Sequence, residues 1–279
     1  MNHYGHRTVA FAGEVVGVEW AGDRARRATE LAFGDRADRD DRLPDVTFRL
    51  GARADSPLLT LFEGRRCLYR GDSLGRSVHL LLQGTLDSLI RRSTGGIVLH
   101  AALLGHGDCG VLLPGATGSG KTMLCAWLTS RGLAYVSDEA CYVAAGAAAA
   151  EGFARPLCFK GSWSELLGVA TVPPNGTLHD DGVNVVPPQL LKAARRNAAI
   201  TPRLIVFPHF QADASFEMTR LTPARAALHL LETVANSRNL PDLGMAQVTQ
   251  LGRDVPGYSL TYGSFDQLGP LLALIGSTH

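Results

Sequence analysis

The stretch Gly115-Ala116-Thr117-Gly118-Ser119-Gly120-Lys121-Thr122 constrains this chain more than any other. It fits G-x-x-x-x-G-K-[ST], a pattern that means something only between a strand and a helix. Before it, Gly110-Val111-Leu112-Leu113-Pro114 is a short apolar run of strand length. After it, Met123 to Arg131 carries apolar residues at helical spacing, a cation at its end and Gly132 as a stop. Strand, glycine turn and helix therefore follow in order. The competing reading is a glycine-rich turn ahead of an ordinary helix.

The chemistry of such a P-loop follows from its geometry. Glycines let the backbone curl so that successive N–H groups point at phosphate oxygens. A helix starting near Gly120 adds the positive end of its dipole. Gly115, Ala116, Thr117, Gly118, Ser119, Gly120, Lys121, Thr122 and Met123 are thus the expected nucleotide contacts, with Lys121 on the β- and γ-phosphates and the Thr122 hydroxyl on Mg²⁺.

The 279 residues give a prior of about two domains. A net charge of +1 argues against bulk attraction to nucleic acid or to a membrane surface. The five cysteines are widely spaced and form no C-x-x-C pair, the pattern of reduced thiols in a cytoplasmic protein. No apolar run is long enough to span a bilayer.

Along the chain, residues 8–20 are strand formers broken by glycine, and Asp23 to Asp45 alternates arginine with aspartate as a solvated helix face and loop. Strands are expected at 46–50 and 58–62, with a tight turn at Glu63–Arg66 into Cys67–Arg70, and a helix at 78–92. Ser93-Thr94-Gly95-Gly96 marks the boundary between a small α+β domain, 1–95, and a second domain, 96–279. The second domain opens with an apolar strand at 97–104 holding one histidine, His100. Further strands are expected at 133–136, 141–143, 204–207 and 258–262, with a hairpin tip or connector at 144–150 and an extended piece at 155–160. Pro173 to Pro188 reads as a long Pro- and Gly-rich loop, and helices are expected at 224–235 and 265–275.

Around the loop, Asp138 lies seventeen residues after Lys121, at the end of the next strand, followed by Glu139. A carboxylate at that sheet edge can orient Mg²⁺ or take a proton from an attacking hydroxyl; the plainer alternative is a helix cap or surface acid. His100 is either a core histidine or a group at the same edge. Arg155 and Lys160 are candidate phosphate clamps or simply solvated. No N-K-x-D segment marks a guanine-specific GTPase, and the strand at 204–207 ends in proline and histidine rather than a Walker B aspartate.

The order His100, Lys121, Asp138, with Arg131-Gly132 before the second strand, resembles the catalytic core of bacterial HPr serine kinase/phosphorylase. It is closer still to HPr-kinase-related proteins such as the kinases that tailor lasso peptides. The resemblance covers about Gly96 to Phe159, and extends loosely to Leu221-Thr222-Pro223 and Asn236. It implies an α/β fold, with an HPr-kinase-like P-loop domain behind a smaller α+β one. It also implies ATP and Mg²⁺, Asp138 as general base, His100 at the transferring phosphate, and Glu139 where the family has a second, metal-side Asp. The glycine- and arginine-containing loop of true HPr kinase/phosphorylases has no match in Pro173 to Pro188, which argues against phosphorolysis and against HPr as substrate.

The expectation is an ATP-dependent kinase phosphorylating a hydroxyl, a serine on a peptide or protein, with homo-oligomer formation implied by the family. The alternatives are a small-molecule kinase acting on free serine or a sugar, and an ATP-binding regulator without catalysis.

Overall fold

The computed structural model describes residues 4–34, 40–52, 56–160, 178–180, 183–188 and 199–277. The described chain is a mixed α/β protein with six α-helices and mixed sheets. It divides into two compact units.

The first unit begins with β1 (Tyr4–Phe11), β2 (Glu14–Ala21), α1 (Asp23–Phe33), β3 (Thr47–Ala52), β4 (Leu59–Glu63), β5 (Arg66–Gly71) and α2 (Leu74–Arg92). The strands lie in the order β1-β2-β3-β4-β5. Ala12 and Gly13 both have positive φ, 54° and 81°, the two-residue turn whose twist suits a hairpin. α1 is the crossover between the parallel strands β2 and β3. Its charged face is as expected, with Arg26 and Glu30 paired at 2.7 Å one turn apart. α2 starts a turn before the expected Val78, because Ser73 caps it by accepting from the Arg76 amide at 3.0 Å. Val78, Leu81, Leu82 and Leu89 form its buried stripe.

The second unit begins with β6 (Gly96–His106), β7 (Cys109–Pro114), α3 (Lys121–Ser130), β8 (Ala134–Ser137), β9 (Ala140–Ala144) and β10 (Ala150–Gly152). The alanine-rich run is the tip of the β9–β10 hairpin. The chain then returns to the first unit from Arg155. There β11 (Leu157–Lys160), β12 (Leu178–Asp180) and β13 (Val183–Val186) form a separate sheet in the order β11-β13-β12. Two strands thus fall inside 173–188, which the sequence reads as a loop; Pro173-Pro174-Asn175-Gly176 lies outside the described residues. The second domain expected as 96–279 is accordingly interrupted by residues that pack with the first unit.

From Pro188 the chain rejoins the second unit as β14 (Thr201–Phe210), β15 (Glu217–Arg220), α4 (Pro223–Leu231), α5 (Met245–Asp254), β16 (Gly257–Tyr262) and α6 (Gly269–Gly276). The sheet order is β10-β9-β6-β7-β14-β16-β15, with β8 also paired to β6. β7, β14 and β16 are parallel, so their C-terminal ends share one edge. In α/β sheets that edge is where ligands collect. One face of β6, with Ile97, Leu99, Ala101 and Leu103, packs with Leu230 of α4 and Val248 and Leu251 of α5. The period of two turns His100 to the other face, towards α3.

α4 ends at Leu231 rather than near Ala235 because the next residues are drawn to β6: His100 N donates to Thr233 O and Ala235 N to Val98 O, both 2.8 Å. β14 is longer than the expected 204–207, since Pro202 is absorbed at a register shift and Pro208 stays in the strand. No described helix is long and apolar enough to cross a membrane.

Candidate functional site

The site grows out of a change of neighbours along β6. From Gly96 to His100 the strand pairs with β9 and is bonded to residues 233–236. From Ala101 onward it pairs with β7, and from Leu103 with β8. At the changeover the Asp138-Glu139 turn joins β8 to β9, and Gly115 leaves the end of β7. Backbone bonds pin both: Ala101 N to Glu139 O at 3.2 Å and Gly115 N to His100 O at 3.3 Å. Two loops 23 residues apart therefore meet on either side of His100. Asn236, 3% exposed, braces the strand by accepting from Val98 N and donating to Gly96 O, each at 2.8 Å.

In the glycine loop, Gly118 and Gly120 both have φ of +91°, a conformation costly for other residues. Gly120 N-caps α3 with no side-chain bond, unlike Ser73 on α2 or Thr222 on α4. The cap thus supplies no side-chain acceptor of its own at the place where a helix favours an anion. Lys121 is 6% exposed. Its ammonium reaches Gly115 O at 2.6 Å, Ala116 O at 3.0 Å and His100 Nε2 at 3.1 Å, one acceptor for each N–H. Since an ammonium only donates, Nε2 accepts, which leaves Nδ1–H to donate to Glu139 O at 3.1 Å. Glu139 Oε1 lies 3.3 Å from the same Nδ1. Glu139, His100 and Lys121 form one chain.

Asp138 differs from its neighbour. It is fully buried, and its carboxylate accepts from Tyr135 Oη at 3.1 Å. Beneath it, Cys125 on α3 has its thiol pushed well up, first by burial and then by the Asp138 charge. Glu139 keeps 30% of its side chain exposed. Of the acid pair, Glu139 presents a carboxylate to the surface.

The other flank of the loop is aromatic. Phe210 ends β14 and Tyr262 ends β16, paired in register. Ser119 O accepts from Phe210 N at 3.1 Å. A side chain on Gly120 would meet Phe210 Cβ at 2.9 Å and Tyr262 Oη at 3.0 Å. Tyr262 is fully buried, yet its hydroxyl and the buried Ser119 Oγ have no hydrogen-bond partner among the described residues. Burial also pushes the Tyr262 hydroxyl pKa up.

His100, Lys121 and Glu139 are thus brought together with the loop, and Asp138 lies immediately behind. Thr122 and Met123 occupy the first turn of α3, both partly exposed. Arg155 belongs to the first unit, and the side chain of Lys160 lies outside the described residues. The sequence reading missed Tyr135, Phe210 and Tyr262. Tyr135 had a usable signal, three residues before Asp138 on a short strand; Phe210 lay beyond the expected end of its strand.

The residues fit a phosphate tail. A cradle with nothing within 4 Å of a Gly118 side-chain position, an uncapped helix start, a lysine and an orphaned serine hydroxyl suit anionic oxygens. Among the described residues no group of three or more His, Cys, Asp or Glu could hold a metal ion. Mg²⁺ accompanying a nucleotide does not require one, since phosphate oxygens and waters supply most of its ligands. Thr122 and one carboxylate would suffice.

A groove of about 730 Å³ on the first unit's sheet, lined by His6, Glu19, Arg49 and Phe62 among others, contains none of these groups. A scan against protein-family models finds no match, and a search of curated proteins finds none either.

Proposed function

We propose that the chain is a Mg²⁺–ATP-dependent kinase that transfers the γ-phosphoryl group to a hydroxyl, a serine of a peptide or protein. The observation that carries this reading is the Glu139–His100–Lys121 chain closing on the glycine loop where β6 changes neighbours. The resemblance of 96–159 to HPr-kinase-related proteins, and an HPr-kinase-like arrangement of the second unit, belong to the same proposal.

In it, the loop amides and Lys121 hold the phosphates, and Lys121 leaves its two carbonyls and His100 to do so. His100, held at Nδ1 by Glu139, faces the transferring group. The acceptor hydroxyl gives its proton to the acid pair. Exposure favours Glu139 for this role, which the sequence assigns to Asp138, and Tyr135 holds Asp138 as the anchor of the turn. Mg²⁺, bound through the Thr122 hydroxyl, the phosphate oxygens and one carboxylate of the pair, would neutralise charge on the phosphates. Catalysis is then chiefly positioning and charge stabilisation.

The test is transfer of label from γ-labelled ATP to a peptide pool and, separately, to free serine, with Lys121→Ala as control. Label in peptide that vanishes with the variant is the expected result. Label in free serine alone would move the protein to the metabolite kinases. ATP binding with no transfer to any acceptor offered would favour the regulator.

A further inference from the structure

We infer that Phe210 is the platform on which the nucleobase stacks; this rests on the reading that the Gly115–Thr122 loop holds a nucleotide's phosphates. The argument starts from strand lengths. Ile205 of β14 pairs with Leu112 of β7, so β14 continues past the end of β7 at Pro114. Its last residues run beside the glycine loop and are held there by the Phe210 N to Ser119 O bond at 3.1 Å.

The two flanks of the loop are chemically different. The β6 side carries His100, Lys121 and the acid pair, the groups for phosphoryl transfer. The β14 side carries Phe210 and Tyr262. A nucleotide with its terminal phosphate at His100 has its base directed to the aromatic side.

Phe210 is built to receive it. Its ring meets Tyr262 at 5.4 Å and 62°, edge to face, and remains 43% exposed. Tyr262 leans in turn on Phe265, which stacks on Trp127 of α3 at 5.7 Å. Both ends of the Phe210 backbone segment are tied, since Gln211 N donates to Tyr262 O at 3.1 Å. The exposed ring is therefore fixed, and stacking on it costs little ordering. The orphaned Tyr262 hydroxyl, buried against Gly120, is an independent sign that a polar ligand belongs at this corner.

The experiment compares ATP with tripolyphosphate, which has the phosphates but no base, by calorimetric titration. For Phe210→Ala the expected result is ATP binding weakened about tenfold or more, the usual loss for one stacked base, with tripolyphosphate unchanged. The unchanged tripolyphosphate also shows that the variant folds. Phe210→Trp should restore ATP affinity and have its fluorescence quenched by ATP but not by tripolyphosphate. If Phe210→Ala leaves the ratio of the two affinities at the wild-type value, the platform is refuted while the nucleotide reading stands. If the wild type binds neither ligand, or binds both regardless of Lys121→Ala, the nucleotide reading fails and the platform with it.

Discussion

Lys121 Nζ and His100 Nε2 lie 3.1 Å apart, and this contact completes the coordination of a buried ammonium. With Gly115 O and Ala116 O it leaves no N–H of Lys121 unused. A buried cation needs such partners, and a phosphate that takes over the lysine must replace all three. In the proposed nucleotide complex the exchange would release His100 Nε2, with Nδ1 still bonded to Glu139.

The acid pair separates by exposure, and substitution should separate it by function. Glu139→Gln should lower phosphoryl transfer by about 100-fold or more, the typical contribution of a general base, with ATP affinity nearly unchanged. Asp138→Asn, which alters a buried hydrogen bond with Tyr135, should act more on the melting temperature and less on turnover. Steady-state kinetics and thermal melts on both variants decide the matter. The reverse pattern would return the base role to Asp138.

Gly118 and Gly120 share a φ of +91° but not their surroundings. Alanine at either position carries the left-handed penalty of about 1–2 kcal/mol. Gly118→Ala meets nothing within 4 Å and should cost only that. Gly120→Ala also drives a methyl against Phe210 Cβ and Tyr262 Oη, so it should lower the urea midpoint further and abolish nucleotide binding. Equal midpoints for the two variants would contradict the packing described for Gly120.

Alkali should weaken the fold through groups it keeps protonated. Burial raises the thiols of Cys125 and Cys141 above their ordinary value of 9.0 and the Tyr262 hydroxyl above 10.0. Below pH 9 the folded and unfolded chains bind the same protons at these groups, and stability does not depend on them. Above it the unfolded chain releases protons that the folded chain retains, so stability falls by about 1.4 kcal/mol per pH unit for each thiol. Urea midpoints between pH 7.5 and about 10.5 should show this fall, and Cys125→Ala combined with Cys141→Ala should make it shallower. In the native protein the exposed Cys67 should alkylate while Cys125 and Cys141 stay inert.

The parts of the site legible in the sequence are those written locally. Glycine spacing marks the loop, helical periodicity marks α3, and the apolar run around His100 marks β6. What stayed hidden depends on distant pairing. Pro202 and Pro208 argue against strand, and only the parallel neighbours of β14 carry it on to Phe210. β15 is a polar edge strand, and α5 starts at a glycine without a side-chain cap, with Val248 and Leu251 as its buried apolar residues. Exposure, which divides Asp138 from Glu139, has no signature in two adjacent acids.

The return of β11, β12 and β13 to the first unit bears on how this chain can be cut and recombined. Among the described residues that unit runs to Ser93, resumes at Arg155 to Lys160, and takes in 178–180 and 183–187. A single breakpoint near residue 95 would strip the front piece of β11, β12 and β13 and leave them stranded in the back piece. Neither half is a transplantable cassette: a chimera that respects the architecture needs at least three crossovers, and a fragment ending at residue 95 should prove insoluble or poorly folded where a split that keeps both contributions does not.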